Sequence, residues 1–253
     1  MASATWSGSP HLFANQGKSV VAGKLLTVDD TAEWQASLPA SASVFGSVEY
    51  AKISEGYTGH SARLFVLDLD DSLITYPFFL RPISSLPFVS DIPGVLWDTL
   101  TPEFTGPINS RLSDSPAATH FADRFSEYCK EQGIVAEFAH LHPRNLQGDL
   151  LEPSCVEFDR QIVYVDLTLS EDQLWSDSFT YACRKNIKRA RKEKVRVFQA
   201  TSPEHVEQFH DIYIQTMNRR GAADRYYFPL GYFMAFFEQM PDNATFFLAE
   251  YQN

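Results

Sequence analysis

Two apolar runs separated by a pair of aspartates constrain this chain most. Residues 62–68 (ARLFVLD) and 73–80 (LITYPFFL) are rich in β-branched, aromatic and aliphatic side chains, and Asp70-Asp71 stands between them. Such runs bounded by a polar turn read as two strands of a hairpin, although Asp-Asp is a weaker turn than Asn-Gly. Residues 94–99 (GVLWDT) read as a third strand, followed by a Pro-, Gly- and Ser-rich loop over 101–116.

Helical patterns flank these strands. Residues 30–38 predict a short helix that stops before Pro39. Ser115 can cap a longer helix, Pro116 suits its first turn, and Phe121, Phe125 and Tyr128 recur at helical spacing before Gly133 ends it. Residues 134–140 and 162–169 then read as strands. Ser170 with Gln173 forms a capping-box pattern at the head of a continuous helix over 171–193. A short strand VRVFQA, a helix opened by Thr201-Ser202-Pro203-Glu204, a helix over 230–240 and a strand over 243–251 complete the order. The expected class is α/β (α+β), with mixed sheets flanked by helices.

The chain has 253 residues, 44% of them apolar, enough for a real core. Its apolar runs are too short to predict a transmembrane helix. Residues 1–24 read as a flexible tail without the pattern of a signal peptide. Cys129, Cys155 and Cys183 are odd in number and far apart, which fits reduced thiols and a cytoplasmic setting. The apolar strand FFLAEY near the end needs a neighbour. Either it pairs with an earlier strand, or its return strand is missing and the second module is incomplete; the second alternative is the expectation.

Charge is unevenly placed. The formal net charge is −11, yet residues 184–196 (RKNIKRARKEKVR) hold eight basic residues and one acid. Outside them, 13 basic residues face 31 acidic ones. An acidic body excludes general nucleic-acid binding by the whole surface. No groove-reading motif accompanies the basic run, so DNA is not an expected partner. The run reads mainly as a solvated helix face anchored by Ile187 and Ala190, with Arg184 and Lys188 as candidate phosphate contacts. Asp98 and Glu103 are the carboxylates that could act as a general base, though acidic loop residues are common. His140 and His142 flank Leu141 on the expected strand and would share a face, but no third ligand is near, so no metal is expected. No Walker loop, GxGxxG, CxxC or Ser-His-Asp order is present.

Several segments together resemble the Fem-type family: the FemABX peptidoglycan bridge-forming ligases and the wider Fem-like acyltransferases of the GNAT superfamily. VFGSVEYAK (44–52), TPEFTGPI (101–108), FAHLHPRN (138–145), YVDLTLSEDQLW (164–175) with the basic run, and IYIQTMNRRGA with YYF (212–228) resemble family segments in order and spacing. No one of them is specific. Lys194 departs from the pattern, because the family commonly has Gly after the basic helix.

The resemblance implies tandem GNAT-like modules, one over 25–169 and a second starting at 170. It implies an N-acyltransferase that moves an acyl or aminoacyl group to an amine acceptor, a phosphorylated, nucleotide-linked or lipid-linked cell-envelope precursor. The donor would be acyl-CoA or aminoacyl-tRNA, without a metal. An aminoacyl-tRNA-dependent interpeptide bridge ligase, with tRNA as partner, is one alternative; a non-catalytic binding module or gene remnant is another. Peripheral membrane association is compatible with a lipid-linked acceptor. Lys52, Arg184 and Arg219 would hold substrate phosphates, with Lys188 beside them. Tyr226 and Tyr227 would line the cleft. No catalytic base is assigned. The Gly-rich pantetheine turn of GNAT enzymes is absent, and the family places it in the part of the second module expected to be missing.

Overall fold

The computed structural model describes residues 23–40, 42–69, 72–86, 89, 96–109, 117–142, 150 and 156–252. The chain divides into two compact units, Met1–Phe158 and Asp159–Asn253.

The first unit is built on one mixed sheet. The central hairpin is β2 (Ser61–Leu69) and β3 (Ser72–Pro82). It is flanked by β1 (Gly23–Leu26) on one side and by β4 (Trp97–Leu100) and then β6 (Ile134–Phe138) on the other. A two-residue strand β5 (Ile108–Asn109) also pairs with β3. All pairs are antiparallel except β4 with β6, which is parallel with an irregularity between Trp97 and Asp98. The expected hairpin is present, in the register Phe65 opposite Tyr76 and Leu67 opposite Ile74. That register puts Phe65, Leu67, Ile74, Tyr76 and Phe78 on one face, because side chains alternate across a strand.

Helix α3 (Ala117–Gln132) covers this face with Phe121, Phe125 and Tyr128. The Phe125 ring meets Phe65 and Tyr76 edge-on, with centroids 5.4 and 5.0 Å apart, an arrangement that aromatic quadrupoles favour. Elsewhere in the unit lie α1 (Thr31–Ser37) and α2 (Val48–Thr58), the latter against β2. Trp34 of α1 is buried and its indole N–H donates to the Gly46 carbonyl at 3.0 Å.

The second unit contains α4 (Glu171–Gln173), a π turn over Leu174–Ser178, α5 (Tyr181–Lys192), β7 (Arg196–Gln199), α6 (Pro203–Arg220), a 3₁₀ turn over Asp224–Tyr226, α7 (Leu230–Gln239) and β8 (Phe247–Glu250). β8 pairs antiparallel with β7, so its neighbour on one edge is an earlier strand. Val206, Phe233, Met240 and Leu248 are buried at its centre.

Five expectations need correction. Residues 162–169 form no strand; Val163 is 97% and Leu167 82% exposed. Strand propensity without a hydrogen-bonding neighbour does not make a strand. The Asp166 carboxylate instead turns the chain by accepting from the Thr168 amide at 3.0 Å and from its hydroxyl at 2.7 Å. The helix expected over 171–193 breaks after the π turn, because Thr180 starts a new one by accepting from the Cys183 amide at 3.3 Å. Gly23 and Lys24 belong to β1 rather than to a tail, and β5 lies inside the expected 101–116 loop. His140 and His142 follow β6 instead of lying on it. Residues 1–22, Ser115, Pro116 and Cys155 lie outside the described residues.

Candidate functional site

In the second unit, a corner joins the π turn to the basic helix α5. Ser170 and Gln173 complete the capping box expected there. The π turn changes the backbone pairing, and its carbonyls need donors. Arg184 supplies them: one terminal nitrogen, Nη1, donates to the carbonyls of Trp175 at 2.9 Å, Ser176 at 3.3 Å and Phe179. The candidate phosphate contact is thus tied into the corner by at least one nitrogen. Lys188 and Arg191 lie over the Trp175 ring, 5.8 and 5.9 Å from its centroid. No residue of α5 is fully buried.

A second concentration of candidates follows α6. Arg219 and Arg220 occupy its last turn and are exposed, and neither has a carboxylate partner among the described residues. Gly221, at φ 59°, then reverses the chain. Tyr226 is exposed and Tyr227 half-buried. The Tyr213 hydroxyl donates to the Tyr226 carbonyl, and the Arg225 guanidinium lies 4.9 Å from the centre of the Tyr226 ring. Behind them, Phe209 and Tyr213 meet Phe233 of α7 edge-on. His210 Nε2 donates to the Phe228 carbonyl at 3.2 Å; a carbonyl can only accept, so this nitrogen carries the proton. These contacts hold the 3₁₀ turn, with its exposed Tyr226, against the α6–α7 pair.

In the first unit, Lys52 is an exposed residue of α2 whose ammonium donates to the Thr31 hydroxyl at 2.7 Å. Asp98 is buried and forms a two-point ion pair with Arg81, Nε to Oδ1 being 3.0 Å. That pairing corrects its reading as a loop carboxylate available to take a proton. Burial, and then the nearby Arg81 charge, hold His60 below the ordinary histidine value, opposed by Asp98. Glu103 is exposed, 3.9 Å from His140 Nδ1, and Phe104 stacks on that imidazole. Among the described residues no group of three or more His, Cys, Asp or Glu side chains could hold a metal.

One polar cluster escaped the sequence reading. The hydroxyl of the buried Tyr76 donates to the carboxylate of Glu137, an exposed residue of β6. Burial raises Tyr76; Glu137 is exposed as a residue, but desolvation of its carboxyl raises it too, and the hydrogen bond opposes that rise. Cys129 lies close by; burial, reinforced by the Glu137 charge, pushes its thiol up to about 12, which leaves it protonated and unreactive at neutral pH. Only the pairing of β6 with β4 and the packing of α3 bring these residues together, so no local pattern announced them.

Among the described residues, no helix is long and apolar enough to cross a membrane. No curated protein and no solved structure matches the chain. The model of the FemAB family matches residues 116–252, more than half of the chain, from the start of α3 through β6 and every element of the second unit. With the α5 corner and the α6–α7 pair both inside the matched region, the chain belongs to the FemAB family.

Proposed function

We propose that this protein transfers an aminoacyl group from aminoacyl-tRNA to the amine of a peptidoglycan precursor. The observation that supports this is the family match through the whole second unit. FemAB enzymes are aminoacyl transferases that use aminoacyl-tRNA donors and lipid-linked peptidoglycan precursors.

The chemistry is aminolysis of an ester. The neutral acceptor amine attacks the ester carbonyl, the carbon–nitrogen bond forms, and negative charge collects on the carbonyl oxygen. Collapse breaks the bond to the ribose oxygen, which leaves with the proton lost by the amine. No covalent enzyme intermediate is required. Holding the amine against the carbonyl and stabilising the oxyanion supply the rate.

In this reading Lys52 in the first unit and Arg219 in the second are phosphate contacts. The exposure of Arg219 and its lack of a carboxylate partner among the described residues support its role. Tyr226 and Tyr227 shape the substrate surface beside it. Arg184 and Lys188 serve a nucleotide- or tRNA-linked phosphate, Arg184 through nitrogens other than the Nη1 that holds the π turn. We further propose that the two units are two GNAT-like modules.

The test is transfer of a radiolabelled amino acid from charged tRNA to UDP-linked and lipid-linked muropeptides, with acyl-CoA donors in parallel. Label on the acceptor, with the mass increment of one aminoacyl residue, is the expected outcome. Transfer from acyl-CoA alone would assign the other donor, and no transfer from either would overturn the enzymatic reading.

A further inference from the structure

Of the eight basic residues in 184–196, Lys188 and Arg191 lie over the Trp175 ring, and three others have polar partners. Arg184 holds the π turn, Arg189 pairs with Glu193 at 2.8 Å and Arg196 with Glu250 at 2.7 Å. The other five, Lys185, Lys188, Arg191, Lys192 and Lys194, have no carboxylate partner among the described residues. Three of these share a line on α5. Lys185, Lys188 and Lys192 follow Tyr181 at offsets of four, seven and eleven, which brings all four to one face of a helix. Tyr181 is 75% exposed and stands at the N-terminal end of the line. The stripe runs for about 16 Å at the rise of an α-helix. The half-buried Cys183, Ile187 and Ala190 lie on the other side of the helix.

We infer that this stripe is a docking face for the sugar–phosphate backbone of RNA, with Tyr181 as a stacking surface for an unpaired base. The inference rests on the aminoacyl-tRNA reading and gives the donor a place on the molecule. Charge complementarity supports it. Lysines one turn apart present a row of ammonium groups to a row of phosphates, and an exposed aromatic ring at the end of a basic track is the combination that binds unstacked bases. The acidic remainder of the chain, 13 basic against 31 acidic residues, repels a polyanion and confines it to this face. A bilayer fits less well. A helix that lies in a membrane interface carries several large apolar groups opposite its charges, whereas Tyr181 is the one large exposed apolar side chain of α5.

The experiment measures binding of uncharged bulk tRNA to the full chain between about 50 and 200 mM salt. The comparison is with the triple variant Lys185→Gln/Lys188→Gln/Lys192→Gln and with Tyr181→Ala, each checked for native circular dichroism. Losing three phosphate contacts should weaken binding at low salt by at least about tenfold and lower the slope of log K against log salt by about 2 to 3. Tyr181→Ala should weaken binding with the slope unchanged. Undetectable tRNA binding by the native chain, or equal binding by the triple variant, would overturn the docking face. So would binding to vesicles of phosphatidylcholine and phosphatidylglycerol without binding to tRNA. If the triple variant folds poorly, Lys185→Glu alone supplies the comparison, with the same expected direction. Transfer from charged tRNA, with uncharged-tRNA binding unaffected by the substitutions, would sink this inference and keep the transferase; stripe-dependent binding without any transfer would do the reverse.

Discussion

Lys194 closes α5 from the left-handed region: at φ 59° its amide donates to the Arg191 carbonyl, 3.1 Å away. The next amide, of Val195, reaches back to the Ala190 carbonyl at 3.0 Å. Together these form a Schellman closure. The same pair of bonds ends α6, from Gly221 to Asn218 and from Ala222 to Met217, both 3.1 Å, and there a glycine occupies the left-handed position. A lysine pays a steric penalty of about 1–2 kcal/mol in that region, partly offset by the greater unfolded-state entropy of glycine. Lys194→Gly should therefore raise stability by about 0.5–1 kcal/mol. Urea denaturation would show a higher midpoint at unchanged slope, and a lower midpoint would contradict the assignment.

Arg81 and Asp98 face each other across β3 and β4 in register, and both side chains are largely covered. Removing one member strands the other charge. Asp98→Asn should lose about 2–3 kcal/mol, and the double variant with Arg81→Met less than the sum of the singles. Denaturant titration of the four proteins checks this. An Asp98→Asn protein of native stability that had lost transfer would restore Asp98 as the general base.

Glu137 makes stability depend on acid. Although the residue is exposed, desolvation of its carboxyl puts its folded-state value above the unfolded one. The native chain therefore binds a proton at pH values where the unfolded chain has lost it. The resulting stability is fully present below the unfolded carboxylate value, 4.5, and is lost as pH rises through the higher folded value. Glu137→Gln should flatten this part of the profile while leaving an acceptor for the Tyr76 hydroxyl. Tyr76→Phe removes the donor and should cost about 1 kcal/mol at neutral pH, with a steeper profile. Chemical denaturation across weakly acidic pH would separate the two, and an unchanged slope in Glu137→Gln would assign the dependence to other groups.

Arg184 is a test of structure against substrate binding. Arg184→Lys keeps a positive charge and a donor nitrogen, but on a shorter side chain that does not set the nitrogen where Nη1 meets the carbonyls of Trp175, Ser176 and Phe179. Amide exchange at Leu174–Thr180 should accelerate about tenfold or more in Arg184→Lys and in Arg184→Ala alike, as expected for the loss of about 1–2 kcal/mol of local hydrogen bonding. Exchange at the native rate in Arg184→Lys would mean that a positive charge alone, and not the placement of Nη1, fixes the corner.

The parts of the fold that could be read in advance are those whose signal is local. The β2–β3 hairpin followed from two apolar runs around a polar turn. Helix α3 followed from Phe121, Phe125 and Tyr128 at helical spacing, and α6 from Ser202-Pro203 at its start. Gly133 and Gly221 both stand at positive φ where those helices end. The basic face of α5 was also legible, because charge placement needs no partner to be seen. Tertiary structure decided everything that depends on a neighbour. Residues 162–169 carry a strand composition but pair with no strand among the described residues, while the two-residue β5 is a strand because β3 lies beside it. Asp98 differs from Glu103 in being buried on a strand, with an arginine set opposite it by the register. Tyr76, Cys129 and Glu137 met when a helix and an edge strand packed on the hairpin, since side-chain environment is fixed by packing in three dimensions and not by order along the chain.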